Sequence, residues 1–155
     1  GLCDFHNSVR IMKNILDNEE IMIAQPYFMH YVIDAVYKVG LFEEYGLKLI
    51  KKWKKLVNEC EKGLKEVWND YEGYVVDYSH GWGGTPAYQL PCRISGIEIL
   101  EPGFKKIRIK PNLYGLEYAD IKIPTPYGVI NCHITKDKMD IDIPDGIMVA
   151  DYFCS

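Results

Sequence analysis

A change of hydrophobic period at Glu101-Pro102-Gly103 divides this 155-residue chain and narrows the folds open to it. Before that point apolar residues recur every three or four positions, and after it they alternate one by one. A period near 3.6 gathers side chains on one stripe of a helix, whereas a period of 2 puts them on one face of a strand. The two patterns occupy separate stretches, which predicts an α+β fold with helices and strands segregated along the chain. On this basis residues 1–100 form a helical part and residues 101–155 a β domain.

The helical part breaks into segments with recognisable ends. His6–Leu16 carries Val9, Met12, Ile15 and Leu16 at helical spacing, interrupted by Asp17-Asn18. Pro26 stands where a first-turn proline belongs, Tyr27, Tyr31, Ala35 and Val39 form an i, i+4 stripe, and Gly40 stops it. A third helix from about Phe42 puts Tyr45, Leu49, Trp53, Leu56 and Cys60 on one face. The short Gly40-Leu41 connection predicts an antiparallel helical hairpin. Trp68–Tyr78 is polar, aromatic and contains Gly73, a loop composition. Trp82–Ile94 is one more helix, entered through a Gly-rich turn and disturbed by Pro86 and Pro91. Three or four helices suffice for a small bundle but not for a closed helical barrel.

Downstream, Ile107 and Ile109 alternate with Arg108 and Lys110, Ile121 and Ile123 flank Lys122, and Met139, Ile141 and Ile143 alternate with Asp140 and Asp142. Turn signals such as Pro124-Thr125-Pro126, Tyr127-Gly128 and Pro144-Asp145-Gly146 punctuate them. About five short antiparallel strands with one buried face predict a β-sandwich.

Composition excludes several functions. With net charge −4 and no basic run beyond the Lys48–Lys55 helix face, no nucleic-acid groove is expected. No apolar run reaches the ~20 residues of a membrane span. Five cysteines (Cys3, Cys60, Cys92, Cys132, Cys154) at wide, irregular spacing form no zinc pattern. They are expected to be reduced and mostly buried thiols, which leans towards the cytoplasm. No metal and no cofactor is expected. His6, His30 and His133 are expected to be structural or exposed.

Two clusters could carry chemistry. One is Glu66-Val67-Trp68 followed by Asn69, Asp70, Tyr71 and Glu72; the other is Ser79-His80-Gly81-Trp82-Gly83-Gly84-Thr85-Pro86-Ala87-Tyr88. Sugar sites need carboxylates for proton transfer, flat rings to stack on sugar C–H faces, and His or Asn to bond hydroxyls. Packing of such Tyr/Trp-rich loops on the core is the commoner fate of these residue types.

The second cluster, followed by Gly96-Ile97 and Glu101-Pro102-Gly103-Phe104, resembles the end of the catalytic domain of bacterial α-L-rhamnosidases. Ile107–Pro111, Leu116–Ala119 and Pro124–Ile130 resemble that family's C-terminal β domain, and Pro26-Tyr27-Phe28 with Asp34-Ala35 its late barrel helices. The resemblance implies the last helices of an (α/α)6 barrel, incomplete here, followed by an antiparallel β-sandwich. It implies an inverting mechanism that removes terminal α-L-rhamnose, with a carbohydrate substrate. Glu66 then matches the general base, His80 and Trp82 the sugar contacts, and Trp68 a further substrate contact. The residue before Glu66 is Lys65 where the family has Trp, and the family's Gly-Ala-Thr-Thr run stands as Cys60–Leu64. The general acid is expected in earlier barrel segments, so the piece alone is expected to be inactive. Its partner is the rest of the barrel, or a second copy through exposed helices. Two other functions fit the residues: a non-catalytic carbohydrate-binding module stacking sugar on Trp68, Tyr71, Tyr74 and Trp82, and a structural association domain.

Overall fold

Helix α1, Phe5–Asp17, begins at Asp4, whose carboxylate accepts a 2.8 Å hydrogen bond from the Asn7 backbone N–H. That bond satisfies one of the N–H groups that a helix start leaves unpaired. In this computed structural model residues 2–59, 63–73, 75–78 and 80–152 are described. Cys60, Tyr74, Ser79 and Cys154, all named above, lie outside the described residues. The chain divides into two compact units, Gly1–Gln89 and Leu90–Ser155.

In the first unit, helix α2 (Met29–Lys38) begins three residues after Pro26 and ends at Gly40. Leu41 N–H bonds the Val36 carbonyl and Gly40 N–H that of Tyr37, the paired bonds of a Schellman stop. Met29, Ile33 and Val36 form its buried stripe, while Tyr27 and Tyr31 stay exposed. The expected third helix arrives in three pieces: a π-helical turn at Phe42–Gly46, α3 (Leu47–Lys51) and α4 (Trp53–Asn58). Within the π turn the Phe42 ring lies directly over Gly46, where a Cβ would meet it at 2.5 Å, so the turn needs glycine at that position. Lys52 N–H bonds Leu49 at i−3, which tightens the chain between α3 and α4. Even so, Leu49, Trp53 and Leu56 are buried as the helical spacing predicts. A 3₁₀ turn, Gly81–Gly84, then feeds α5 (Thr85–Ser95), which runs on through Pro91.

Among its described residues the second unit holds six strands: β1 (Ile97–Glu101), β2 (Lys106–Ile109), β3 (Tyr118–Thr125), β4 (Gly128–Thr135), β5 (Met139–Asp142) and β6 (Met148–Tyr152). They make two three-stranded sheets, β1-β2-β6 and β3-β4-β5. Ile107 and Ile109 from one sheet share a core with Ile121, Ile123, Ile130 and Ile134 from the other, as in a sandwich. The expectation of a wholly antiparallel sandwich needs correction. β6 pairs with β2 in parallel, Lys106 opposite Met148 and Ile107 opposite Val149. After the Pro144-Asp145-Gly146 turn the chain leaves β5's sheet and fills β2's open edge, a pairing that no hairpin dictates.

β1 precedes the Pro-Gly punctuation and was not expected as a strand. It pairs with β2 through Ile97–Ile109 and Ile99–Ile107. Gly96 makes the helix-to-strand corner possible: at φ +64 its amide edge lies so near Lys110 that an added Cβ would sit 1.7 Å from that carbonyl oxygen. Because Ile94 and Ile97 already belong to the β core, the boundary between the units falls inside α5, about ten residues before the change of period. The thiols are less uniformly buried than expected: Cys132 is buried, Cys92 half-buried and Cys3 exposed. No helix among the described residues is long and apolar enough to cross a membrane.

Candidate functional site

Two loop segments of the first unit are laced together by backbone bonds. Glu66 N–H donates to the Asp77 carbonyl at 3.3 Å, and His80 N–H to the Leu64 carbonyl at 3.1 Å. The His80 carbonyl in turn accepts from Gly83 N–H at 2.8 Å, which closes the 3₁₀ turn. Behind that turn the buried Trp53 indole donates to the Gly83 carbonyl at 2.6 Å. The predicted residues Glu66 and His80 therefore meet although fourteen positions separate them.

The side chains converge on one imidazole nitrogen. His80 Nδ1 lies 3.1 Å from an Asp77 carboxylate oxygen and 3.9 Å from one of Glu66. Glu66 and His80 are mostly covered, at 23% and 25% side-chain exposure, whereas Asp77 is at 60%. Trp82 stands beside them with its ring 6.4 Å from the imidazole, and Tyr27 lies 6.3 Å from His80 and 5.5 Å from Trp82. Tyr27, Tyr31, Trp82 and Tyr88, all exposed, line a groove of about 310 Å³ together with His30 and Thr85. A carboxylate, an imidazole and flat exposed rings side by side can move a proton and hold a polar ring with one apolar face.

Glu66, Asp77 and His80 also offer three donor atoms, all within 4.8 Å of one another, the spread of a loosely formed cation site. At 3.1 Å the Asp77–His80 contact has the length of an ordinary N–H···O hydrogen bond. Lys65, next to Glu66 in sequence, sends its ammonium elsewhere. It bonds both Asp70 carboxylate oxygens at 3.0 Å, approaches Glu59 at 3.9 Å and lies over the Tyr78 ring. The Asp70 hydrogen bond holds the Lys65 ammonium above its ordinary range.

Trp68 is placed differently from the other predicted residues. Its indole N–H donates to the Ala24 carbonyl at 2.7 Å, its backbone N–H to the Gln25 side chain, and its ring meets Trp53 edge-on at 4.7 Å. With Tyr71 it lines a second groove of about 310 Å³. Of the rings named for a stacking platform, Trp68 and Tyr71 line this groove and Trp82 lines the other, while Tyr74 lies outside the described residues. Two of the three weaker histidine candidates have structural partners: His30 Nδ1 meets the buried Gln89 amide at 3.2 Å, and His133 pairs with Asp120 at 2.6 Å on the exposed face of β4. Sequence reasoning missed Asp77 and Tyr27 as site residues. Tyr27 read as a member of a helix stripe, and the sequence signal for Asp77 is a carboxylate three residues before His80.

Residues 96–147, about a third of the chain, match the family model of the bacterial alpha-L-rhamnosidase C-terminal domain. Over nearly its full length the chain shares a fold with the α-L-rhamnosidase of Dictyoglumus thermophilum (TM-score 0.73, 18% identity, 94% of this chain and 18% of that one). The native enzyme of Aspergillus terreus gives TM-score 0.76 at 17% identity, with 95% of this chain and 19% of that chain covered. The Streptomyces avermitilis enzyme, solved with L-rhamnose, gives 0.72 at 10%, covering 95% and 16%. No curated protein matches the sequence. The chain thus resembles the C-terminal part of bacterial α-L-rhamnosidases, and it spans less than a fifth of the length of these solved relatives.

Proposed function

We propose that this chain is the C-terminal part of an inverting glycoside hydrolase that releases terminal α-L-rhamnose, or a related sugar, and that it supplies the base side of the active site. Glu66 is the general base, taking a proton from the water that attacks the anomeric carbon. His80 bonds a sugar hydroxyl and Trp82 covers the apolar face of the ring. The helices of the first unit are the last ones of an (α/α)6 barrel. What carries this reading is the meeting of Glu66 and His80 at 3.9 Å beside Trp82 and Tyr27, on a chain folded like the rhamnosidases.

The general acid is not Asp77. Inverting enzymes hold acid and base roughly 6.5–9.5 Å apart to admit the water, and Asp77 and Glu66 present oxygens within 4.8 Å. The acid is assigned to earlier barrel segments on the likeness to the rhamnosidases, of whose length this chain spans less than a fifth. Trp68 remains a sugar contact only through the second groove, which it lines together with Tyr71. Apolar side chains exposed on and after α1, among them Phe5, Ile11, Ile15 and Met22, are the surface for the rest of the barrel or for a second copy.

The test is hydrolysis of an aryl α-L-rhamnoside by the purified chain and by Glu66→Gln. The expected result is a folded chain that L-rhamnose stabilises but that turns nothing over. Turnover abolished by Glu66→Gln would confirm the base and refute the external acid. Turnover indifferent to Glu66→Gln, or no response to L-rhamnose, would remove the proposal. The exposed Tyr27, Tyr31, Trp82 and Tyr88 around one groove favour a second reading, a sugar-binding module. In that case L-rhamnose stabilises the wild-type and Glu66→Gln chains equally, and the full-length enzyme keeps its rate without the Glu66 carboxylate.

A further inference from the structure

We infer that Asp77 is a positioning residue: it holds the His80 imidazole with the proton on Nδ1, so that Nε2 faces the sugar as a hydrogen-bond acceptor. The inference rests on the assignment of His80 as a sugar contact.

Both partners are set by the same backbone lacing. The Asp77 carbonyl receives Glu66 N–H, and His80 N–H reaches Leu64, so Asp77 and His80 are each pinned by a backbone bond to the 64–66 segment. The side chains then stand 3.1 Å apart, while Glu66 approaches the same nitrogen only to 3.9 Å, beyond hydrogen-bond distance. One Nδ1–H can point well at one acceptor, and the shorter contact selects Asp77. In a neutral imidazole the partner of one nitrogen decides the role of the other. A carboxylate at Nδ1 takes the proton there and leaves Nε2 a lone pair, which suits a sugar hydroxyl acting as donor. Without Asp77 the carboxylate left beside His80 among the described residues is Glu66, and the ring would be drawn to the base itself. Asp77 thus keeps two functions apart on neighbouring side chains.

The experiment is long-range ¹H–¹⁵N NMR of the histidine rings in the folded chain at a pH where imidazoles are neutral. It compares wild type, Asp77→Leu, Asp77→Asn and Glu66→Gln. Wild type is expected to show His80 protonated at Nδ1. Asp77→Asn keeps a carbonyl acceptor and retains that pattern, Glu66→Gln leaves it unchanged, and Asp77→Leu loses the Nδ1–H signature. Protonation at Nε2 in wild type would overturn the inference, and so would a tautomer that follows Glu66→Gln instead of Asp77→Leu. If Asp77→Leu fails to fold, the wild-type and Glu66→Gln spectra still decide. L-rhamnose added to wild type tests the underlying assignment separately. A shift of the His80 Nε2 resonance supports the sugar contact, whereas no shift beside an intact Nδ1–H leaves the Asp77 bond standing and removes only its function.

Discussion

Replacing Trp53 by Phe should weaken the first unit and loosen the His80 turn together, because one indole nitrogen connects them. Trp53 is 3% exposed and donates at 2.6 Å to the Gly83 carbonyl, whose own N–H closes on His80. Phe keeps an aromatic ring but removes the donor and leaves a buried carbonyl unpaired, a loss of about 1–3 kcal/mol. The smaller ring and a weaker edge contact with Trp68 add roughly 1 kcal/mol. A total near 3 kcal/mol is a large fraction of what a unit of this size has, on the order of 4–13 kcal/mol. With a urea slope of about 2 kcal/mol per molar, the midpoint should fall by about 1.5 M. Fluorescence of Trp68 and Trp82 follows the transition in the variant. Trp68→Phe is the internal control: its donor to Ala24 is only part-buried, so its shift should be clearly smaller. A Trp53→Phe midpoint within about 0.3 M of wild type, or a larger effect for Trp68→Phe, would refute the assignment of Trp53 as the prop of this turn.

Gly96→Ala should destabilise the β unit by about 3 kcal/mol, combining a left-handed φ with the forced retreat of Lys110 and its hydrogen bond. All three tryptophans lie in Gly1–Gln89, so this loss is read by far-UV circular dichroism or amide exchange of β1 and β2, and an unchanged exchange rate there would contradict it. Burial pushes the Cys132 thiol up from 9.0 to about 11. The unfolded thiol therefore ionises first, and the associated stability is whole below pH 9 and lost as pH rises through about 11. Cys132→Ala should flatten that part of the pH profile, and in wild type a thiol reagent at about pH 8 should label the exposed Cys3 well before Cys132. Hydrogen bonds from Asn7 hold the Asp4 carboxyl below its ordinary 3.8, so the cap of α1 persists above that value and is lost as pH falls below it. Asp4→Ala should remove the acid-dependent step in helicity.

Where local chemistry decides, the structure was legible in the residues. The Leu49, Trp53 and Leu56 spacing buries a helix face even though the helix is cut into a π turn and two short pieces. The Ile107/Ile109 and Ile121/Ile123 alternations each place two isoleucines in the β core. Period reports which side chains share a face, and it survives such local distortions. It carries no information about which strand fills an open edge, so the parallel β2–β6 pairing could not be read from it. Nor does it mark a strand as short as Ile97–Glu101, whose glycine corner matters only because Lys110 lies against it.

The candidate site divides along the same line. Residue type marks the two clusters, the resemblance to α-L-rhamnosidases picks Glu66, His80 and Trp82 out of them, and the backbone bonds between residues 64–66 and 77–80 bring Glu66 and His80 together. Those bonds also place Asp77, which no periodic or compositional signal marks, nearer to His80 than Glu66 is. Trp68 shows the converse. An indole suits a sugar face, but it also carries a donor that must be satisfied when half-buried, and here a carbonyl 44 residues away, Ala24, satisfies it. Side-chain type limits what a residue can do, whereas the direction in which its polar end is spent decides what it does. That is why the sharpest test of this site is the tautomer of one histidine rather than the loss of any one ring.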